Sequence, residues 1–240
     1  MEQFQSRGRL TAGVSFDIPG MGYKDPRTGA IDGFEVNLAR AIAKKLLGSS
    51  DRVDFFQVMD QQRIQALQNG LVDFVVSQLT ITPDRAEQVD FSIPYYVTRE
   101  AILVPKASGI KRFENLRGKR IAVTDGSVSL RRMRAALPSL PGTTLVVTDL
   151  SAGNLEAVAK GEADAASNDL INLTLLQKGA AHPDQYEIID IGDKFEPKPF
   201  GVAVKKGNQA LVDLLNQAIE SLKTNREIER LLHEAIATVS

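Results

Sequence analysis

The chain has 240 residues, which is long enough for two lobes of ordinary domain size and a large buried core. Its 29 basic and 30 acidic residues nearly cancel, so no strong field would steer it onto nucleic acid or an acidic membrane. The sequence has no cysteine, two histidines and no glycine-rich phosphate loop, which argues against disulfide frameworks, metal sites and nucleotide chemistry.

The composition leaves the compartment open. No apolar run approaches the roughly 20 residues of a membrane span, and the N-terminal stretch MEQFQSRGRL lacks the apolar centre of a signal peptide. The chain is therefore expected to be either a cytoplasmic protein or a mature secreted protein written without its signal. The absence of cysteine is compatible with both interpretations.

The first hundred residues alternate between strand and helix patterns. Short β-branched apolar runs predict strands over 9–15, 53–58 and 72–76. Apolar residues at helical spacing predict helices between them, over 34–48 and 60–70. The segment 16–23 is predicted to be a loop at the carboxyl end of the first strand, where ligand crevices lie in open α/β sheets. This order predicts a parallel sheet with right-handed crossovers.

The pattern starts again after an extended segment over 97–104. Further strands are predicted over 119–124, 143–148, 163–167 and 186–191, and helices over 126–137, 154–160 and 169–178. A second extended segment over 197–204 precedes an amphipathic helical segment over 209–236, which is expected to break near Thr224 and to pack on the first lobe.

The whole pattern predicts an α/β fold of two lobes, each a mostly parallel sheet flanked by helices. Lobe 1 is predicted to comprise residues 1–98 and 202–240, and lobe 2 residues 99–201. The two extended segments would cross between the lobes and form a two-strand hinge.

The segment from Thr80 to Arg85 carries donors for an anion. Thr82 and Pro83 predict the start of a short helix with Thr82 as its N-cap. The hydroxyls of Thr80 and Thr82 and the guanidinium of Arg85 would then converge with the first N–H groups of that helix, as a carboxylate requires. The segment therefore predicts an anion pocket, with an ordinary capped helix and a surface arginine as the alternative.

Short motifs occur in a fixed order along almost the whole chain. They are GFEVNLA at 33–39, LQNG at 67–70, TITPDR at 80–85, VDFS at 89–92, PYY at 94–96, LRGK at 116–119, GEADA at 161–165 and FGVAV at 200–204. Together they resemble the polar amino-acid family of periplasmic solute-binding proteins, the receptors that serve ABC importers. The resemblance implies a type II periplasmic-binding-protein fold that closes by hinge motion on one free L-amino acid in the interlobe cleft, with no cofactor or metal.

The same resemblance implies the partners and the compartment. The partner would be the membrane permease of an ABC transporter, and the receptor is expected to be a monomer that is not an enzyme. Its place would be periplasmic or extracellular, with the signal peptide removed. Two alternatives remain: a cyclohexadienyl dehydratase, an enzyme on the same fold, and the ligand-sensing domain of a larger amino-acid receptor.

The resemblance also assigns the groups that meet the ligand's carboxylate. Thr80, Thr82 and Arg85 bind it in the first lobe. In the second lobe, the loop of Ser127, Val128 and Ser129 stands where family members carry donors to the same carboxylate. Without the resemblance, Ser127 is simply an N-cap.

The ligand's ammonium would meet Asp169 and the backbone carbonyl of Gln78. The alternative for Asp169 is an N-cap of the helix that follows it. Phe16 and Tyr23 stand where the family places a ring against the ligand, although single aromatic residues are more often packing residues.

Ligand choice depends on the remaining assignments. Arg63 stands where receptors for acidic amino acids tend to have an arginine; the alternative is a solvated helix face. Ser15 replaces a second cation of acidic-ligand relatives, and an amide would need only hydrogen bonds from Ser15, Gln78 or Asn168. The sequence therefore predicts glutamate or aspartate as the preferred ligand, with glutamine close behind.

Overall fold

The computed structural model describes residues 3–239 of the chain. The described residues form two compact units. Unit 1 comprises residues 3–16, Gly20–Val97 and Pro199–Thr238, and unit 2 comprises Asp17–Pro19, Thr98–Lys198 and Val239. The predicted lobe bounds, 1–98 with 202–240 and 99–201, stay a prediction.

The sheets of both units consist of strands that are two to ten residues long. In chain order they are β1 (Leu10–Val14), β2 (Asp17–Ile18), β3 (Gly22–Lys24), β4 (Ile31–Asp32), β5 (Val53–Gln57), β6 (Phe74–Val75), β7 (Val89–Thr98), β8 (Glu100–Pro105), β9 (Arg120–Thr124), β10 (Thr144–Thr148), β11 (Ala165–Asp169), β12 (Tyr186–Asp190) and β13 (Lys198–Lys205).

Helices connect most of these strands. In chain order they are α1 (Gln3–Arg7), α2 (Phe34–Leu47), α3 (Arg63–Gln68), α4 (Pro83–Ala86), α5 (Val128–Ala136), α6 (Ser151–Ala159), α7 (Leu170–Lys178), α8 (Gln209–Thr224) and α9 (Glu227–Thr238). None of the helices in the described part of the chain has the length and apolar character that crossing a bilayer requires.

Unit 1 contains a five-stranded sheet in the order β5-β1-β6-β13-β7. Strand β1 pairs in parallel with β5 and with the central strand β6, and β13 runs antiparallel to β6. Helix α2 packs on β1 and β5, and α8 and α9 pack on α2. The predicted break near Thr224 is confirmed, because α8 ends there and Arg226, with a positive φ of 61°, turns the chain into α9.

Unit 2 contains a five-stranded sheet in the order β10-β9-β11-β8-β12. Strand β9 pairs in parallel with β10 and β11, whereas β8 runs antiparallel to β11 and β12. Successive residues of β8 point to opposite faces, so Ile102 and Val104 enter one apolar cluster and Ala101 and Leu103 the other. The buried sheet holds the ends of β9 and β11 in fixed places.

Several elements differ from the sequence-based expectation, among them α1 and β4, which were not predicted. The segment 16–23 is not only a loop, because it contains β2 and β3. Strand β7 was not predicted, since its buried residues fall at every third position and not at every second one. Helix α6 starts at Ser151 and not at residue 154, because Gly153 lies in its first turn, where glycine is tolerated.

Gly33 fixes the start of α2. Its φ of 131° and ψ of 171° lie in a region that is essentially restricted to glycine. An added Cβ would lie 2.5 Å from the carbonyl carbon and oxygen of Met21. The next two N–H groups, of Phe34 and Glu35, donate to Gly20 O at 2.8 Å and Met21 O at 2.9 Å. These bonds satisfy the first donors of the helix and fix the position of Glu35.

We expect Gly33→Ala to lower the free energy of unfolding by about 3 kcal/mol or more, because backbone strain and steric overlap each cost roughly 1–3 kcal/mol. Gly29→Ala is the control: Gly29 has a φ of 74° but no neighbour within 4 Å of an added Cβ. It should cost only about 1 kcal/mol. Urea denaturation of the two variants measures the difference, and equal losses would contradict this account of Gly33.

Candidate functional site

In unit 1 the peptide group between Ser77 and Gln78 lies between two buried ions. Its carbonyl, Ser77 O, accepts a hydrogen bond from Arg63 Nη1 at 2.8 Å. Its N–H, on Gln78, donates to both carboxylate oxygens of Glu35, at 2.9 and 3.2 Å. Gln78 has a positive φ of 50°, which turns the chain sharply after β6.

Arg63 and Glu35 are only 2% and 1% exposed. Arg63 also donates to Gln78 O at 3.1 Å and to Asp60 O at 3.0 Å. The alternative that Arg63 lies on a solvated face is therefore wrong. Burial, followed by the nearby charge of Glu35, holds the pKa of Tyr95 well above its usual range.

The next residues of the turn are bound to the start of β13. Ile81 N donates to Pro199 O at 2.8 Å, and Gly201 N donates to Leu79 O at 3.1 Å. Between these bonds, Thr80 O accepts a hydrogen bond from Arg85 Nη1 at 2.9 Å. Arg85 is 8% exposed, so the alternative of a surface arginine is wrong.

Thr82 occupies the N-cap position of α4, but its side chain makes no cap bond. The predicted N-cap position is confirmed, but the side-chain cap bond is absent from this helix of four residues. Thr82 Oγ1 is buried and has no hydrogen-bond partner among residues 3–239. A hydroxyl in this state is poised to accept or donate a bond to another molecule.

Ser15 and Phe16 directly follow the end of β1, whereas Tyr23 lies on β3. Ser15 is buried, and its hydroxyl lies 2.6 Å from the hydroxyl of Ser77. Phe16 is half-buried with Lys24 Nζ 5.5 Å from its ring centre, and Tyr23 is half-buried on β3. The structure therefore brings Ser15 to the turn, while the ligand roles of the two aromatic residues stay a prediction.

In unit 2 the predicted loop is the start of α5. Ser127 caps this helix, because its hydroxyl accepts from Leu130 N at 3.0 Å and donates to Thr124 O at 2.7 Å. Ser129 is fully buried, and its hydroxyl donates to Glu100 Oε1 at 2.7 Å. The two hydroxyls thus serve the structure, and the first N–H groups of the helix, on Val128 and Ser129, are the donors that an anion would meet.

Asn168 and Asp169 end strand β11 and are both 4% exposed. Asp169 holds the N-cap position of α7, as the alternative interpretation expected, but its side chain makes no cap bond. Instead, its Oδ1 lies 2.6 Å from Lys198 Nζ. Asn168 Oδ1 accepts from Asp169 N at 2.8 Å, which helps to orient the aspartate.

Burial was not predicted for three charged residues: Glu35, Glu100 and Lys198. Glu100 is 0% exposed and Lys198 is 1% exposed. A usable signal existed, because Glu35 stands between apolar neighbours in GFEVNLA and Glu100 immediately precedes the apolar run AILV. A charged residue inside such a pattern is buried only when a partner is present.

The chemistry of these groups suits a small charged molecule. Unit 1 offers the buried guanidinium of Arg85 and, three residues earlier in the chain, the unpaired hydroxyl of Thr82, and both groups suit a carboxylate. Unit 2 offers a buried carboxylate and helix-start N–H groups. In the described part of the chain, no three His, Asp or Glu side chains lie close enough to hold a metal ion.

Known proteins match the chain over nearly its full length. Residues 10–237 match the model of the family described as bacterial extracellular solute-binding proteins, family 3. The ABC transporter glutamine-binding protein GlnH of Bacillus subtilis (strain 168) is 32% identical, covering 93% of this chain and 79% of the relative.

Two solved structures are similar as well. An ancestral arginine-binding protein bound to glutamine aligns with a TM-score of 0.81 and 34% identity, covering 95% of this chain and 97% of that one. The ancestral amino acid-binding protein AncCDT-1, a precursor of cyclohexadienyl dehydratase, aligns with a TM-score of 0.83 and 31% identity, covering 98% of each chain.

These matches confirm the predicted α/β fold class of periplasmic binding proteins and the resemblance that the motifs carry. The matched region runs from β1 to α9 and contains all of these motifs. The chain belongs to the bacterial extracellular solute-binding proteins, family 3.

Proposed function

We propose that the protein is a receptor that binds one free polar L-amino acid and delivers it to the permease of an ABC importer. The observation that carries the proposal is the buried Arg85, held by Thr80 O, with the unpaired hydroxyl of Thr82 three residues before it. Residues three apart are neighbours in a helical turn, so the two groups can bind one carboxylate.

The ligand is proposed to be glutamate or aspartate, with glutamine close behind. The hydroxyls of Ser15 and Ser77 and the amide of Asn168 can hydrogen-bond a side-chain amide or carboxylate. Arg63 adds positive charge next to the turn, which favours an acidic side chain. The glutamine-binding relative from Bacillus subtilis supports this ligand class.

The compartment and the partners follow from the family. The receptor is proposed to act as a monomer in the periplasm or outside the cell, where it would close on its ligand by a hinge motion. Solute-binding relatives of ABC transporters support a membrane permease as partner. A role as the sensor domain of a larger receptor is the alternative, and it would use the same ligand groups.

An enzymatic role is less well supported. A dehydratase needs a carboxylic acid that can protonate a leaving hydroxyl. The two buried glutamates are held by the chain's own donors: Glu35 by Gln78 N, and Glu100 by Ser129 and Lys198. The similar ancestral structure is itself described as an amino acid-binding protein. Phenylpyruvate formation from prephenate by the purified protein would overturn this preference.

A thermal-shift screen against the twenty amino acids tests the proposal directly. A ligand at 100 times its Kd should stabilise the protein by about 2.7 kcal/mol, or raise Tm by roughly 5–10 °C for a chain of this size. We expect glutamate and aspartate to give the largest shifts and glutamine the next. The absence of any shift would contradict the proposed function, and a preference for arginine or lysine would contradict the proposed ligand class.

We expect Arg85→Ala to cost roughly 2–5 kcal/mol of binding free energy, because the ligand carboxylate loses its charge partner in a buried place. Arg9→Ala is the matched control, since Arg9 pairs with Asp54 on the surface, and it should leave the affinity unchanged. Isothermal titration calorimetry with the best ligand of the screen measures both. Wild-type affinity in Arg85→Ala would rule out this anchor.

Thr82→Val is a second test of the proposed carboxylate site. Removing a buried hydroxyl that lacks a partner should leave the stability of the empty protein unchanged or raise it. The affinity should nevertheless fall, because the ligand loses a hydrogen bond. Stability and affinity that fall together would show that Thr82 is a packing residue.

We expect Arg63→Met to weaken both glutamate and glutamine, because the carbonyls of Ser77 and Gln78 lose their donor. Glutamate should lose about tenfold more, since only its side chain gains from a nearby positive charge. Arg40→Met, which removes a half-buried arginine from α2, is the control. Equal losses for the two ligands would mean that Arg63 acts only by supporting the turn.

A further inference from the structure

Lys198 lies in unit 2 at the start of β13 and is 1% exposed. Three oxygens surround its Nζ: Asp169 Oδ1 at 2.6 Å, Glu100 Oε2 at 3.0 Å and Ser129 Oγ at 2.8 Å. Glu100 and Ser129 accept hydrogen bonds from the ammonium, and Asp169 forms an ion pair with it. Two of the three partners, Asp169 and Ser129, belong to the predicted ligand residues.

Both carboxylate oxygens of Glu100 accept hydrogen bonds from neighbouring side chains. Its Oε1 accepts hydrogen bonds from Ser129 Oγ at 2.7 Å and Ser167 Oγ at 2.9 Å. Arg132 Nη1 lies 3.6 Å from its Oε2, and the Arg132 side chain is 17% exposed. The cluster therefore contains two carboxylates, Glu100 and Asp169, and two cations, Lys198 and Arg132.

This balance of charges changes how strongly Asp169 can bind a ligand ammonium. A buried carboxylate without a partner would bind a ligand ammonium strongly, because its own burial is costly until a cation arrives. Here Lys198 already neutralises part of that charge. Each carboxylate oxygen can still accept further hydrogen bonds, so an ammonium is accommodated but contributes less to affinity than it would beside an unpaired aspartate.

We propose that Lys198 is a specificity-determining residue that sets how strongly the receptor requires an ammonium group on its ligand. The inference rests on the proposed function, in which Asp169 meets the ligand ammonium. With Lys198 in place, the accepted class extends from α-amino acids to the corresponding carboxylic acids that lack the amino group. Without Lys198, Asp169 loses this counter-charge and gains more from a ligand ammonium, so discrimination against such acids increases.

The test compares an amino acid with its des-amino analogue in wild type and Lys198→Met. The pairs are glutamate with glutarate and glutamine with glutaramate, and the Kd values are measured by calorimetry on the full chain at one pH. We expect the ratio of the analogue's Kd to the amino acid's Kd to rise about tenfold or more in Lys198→Met. A structural role alone would weaken the amino acid and the analogue by the same factor and leave the ratio unchanged.

Two further variants isolate the charge. Lys198→Arg keeps the positive charge and should keep the ratio near the wild-type value. Lys194→Met is the matched control, because Lys194 pairs with Glu114 at 2.9 Å on the surface of the same unit. It should change neither Kd nor the ratio.

Lys198→Met leaves Glu100 short of a cation, so the variant could fail to fold. The double variant Glu100→Gln/Lys198→Met removes both charges of that pair, an exchange that buried pairs often tolerate. Asp169 still loses Lys198 in this variant, so the ratio should rise as well. An unchanged or smaller ratio in the folded variants overturns the inference, whereas a wild type that binds no amino acid overturns the proposed function instead.

Discussion

A peptide group that leaves a buried strand must find hydrogen-bond partners, because an unsatisfied N–H or carbonyl in the interior costs free energy that water would otherwise recover. The peptide between Ser77 and Gln78 finds its partners in two ions, with Arg63 on the carbonyl and Glu35 on the N–H. Neither ion could be buried alone at acceptable cost. The peptide dipole lies between opposite charges, so the turn and the two ions stabilise one another.

This arrangement connects distant parts of unit 1. Gly33 places Glu35 at the start of α2, Glu35 holds Gln78 N, and the turn at Gln78 leads to Thr80, whose carbonyl binds Arg85. Each step is a short-range contact between rigid elements. A substitution at Gly33 is therefore expected to displace Thr80 and Arg85, although Gly33 itself does not contact a ligand in the proposed site.

The elements that could be predicted from the sequence carry local signals. Pro83 marks the start of α4, Ser127 caps α5, and Gly48 ends α2 with a left-handed φ of 81°. The apolar neighbours of Glu35 and Glu100 indicate burial but do not identify the partners, which are far along the chain: Glu35 and Gln78 are 43 residues apart, and Glu100 and Lys198 are 98 residues apart. Sequence patterns assign a charged residue to the surface unless a partner is known. The same rule led to the alternative interpretation of Arg63 as a residue on a solvated helix face.

The buried charges of the described chain are concentrated in these two clusters. The charged side chains that are buried are Glu35, Arg63, Arg85, Glu100, Asp169 and Lys198. In unit 1 the guanidinium groups of Arg63 and Arg85 are balanced by Glu35 together with the partly exposed Asp60, which lies 3.9 Å from Arg63. In unit 2 the two carboxylates are balanced by Lys198 together with the partly exposed Arg132.

This balance bears on the choice of ligand. A ligand that is removed from water is bound best when its net charge complements the charges that receive it. Both clusters are balanced when Asp60 and Arg132 are included, so the positions of the single charges, and not an excess of charge, decide which ligand groups can be received. The proposed ligand class therefore rests on Arg63 and Arg85 in unit 1, and the proposed tolerance of a missing ammonium rests on Lys198 in unit 2.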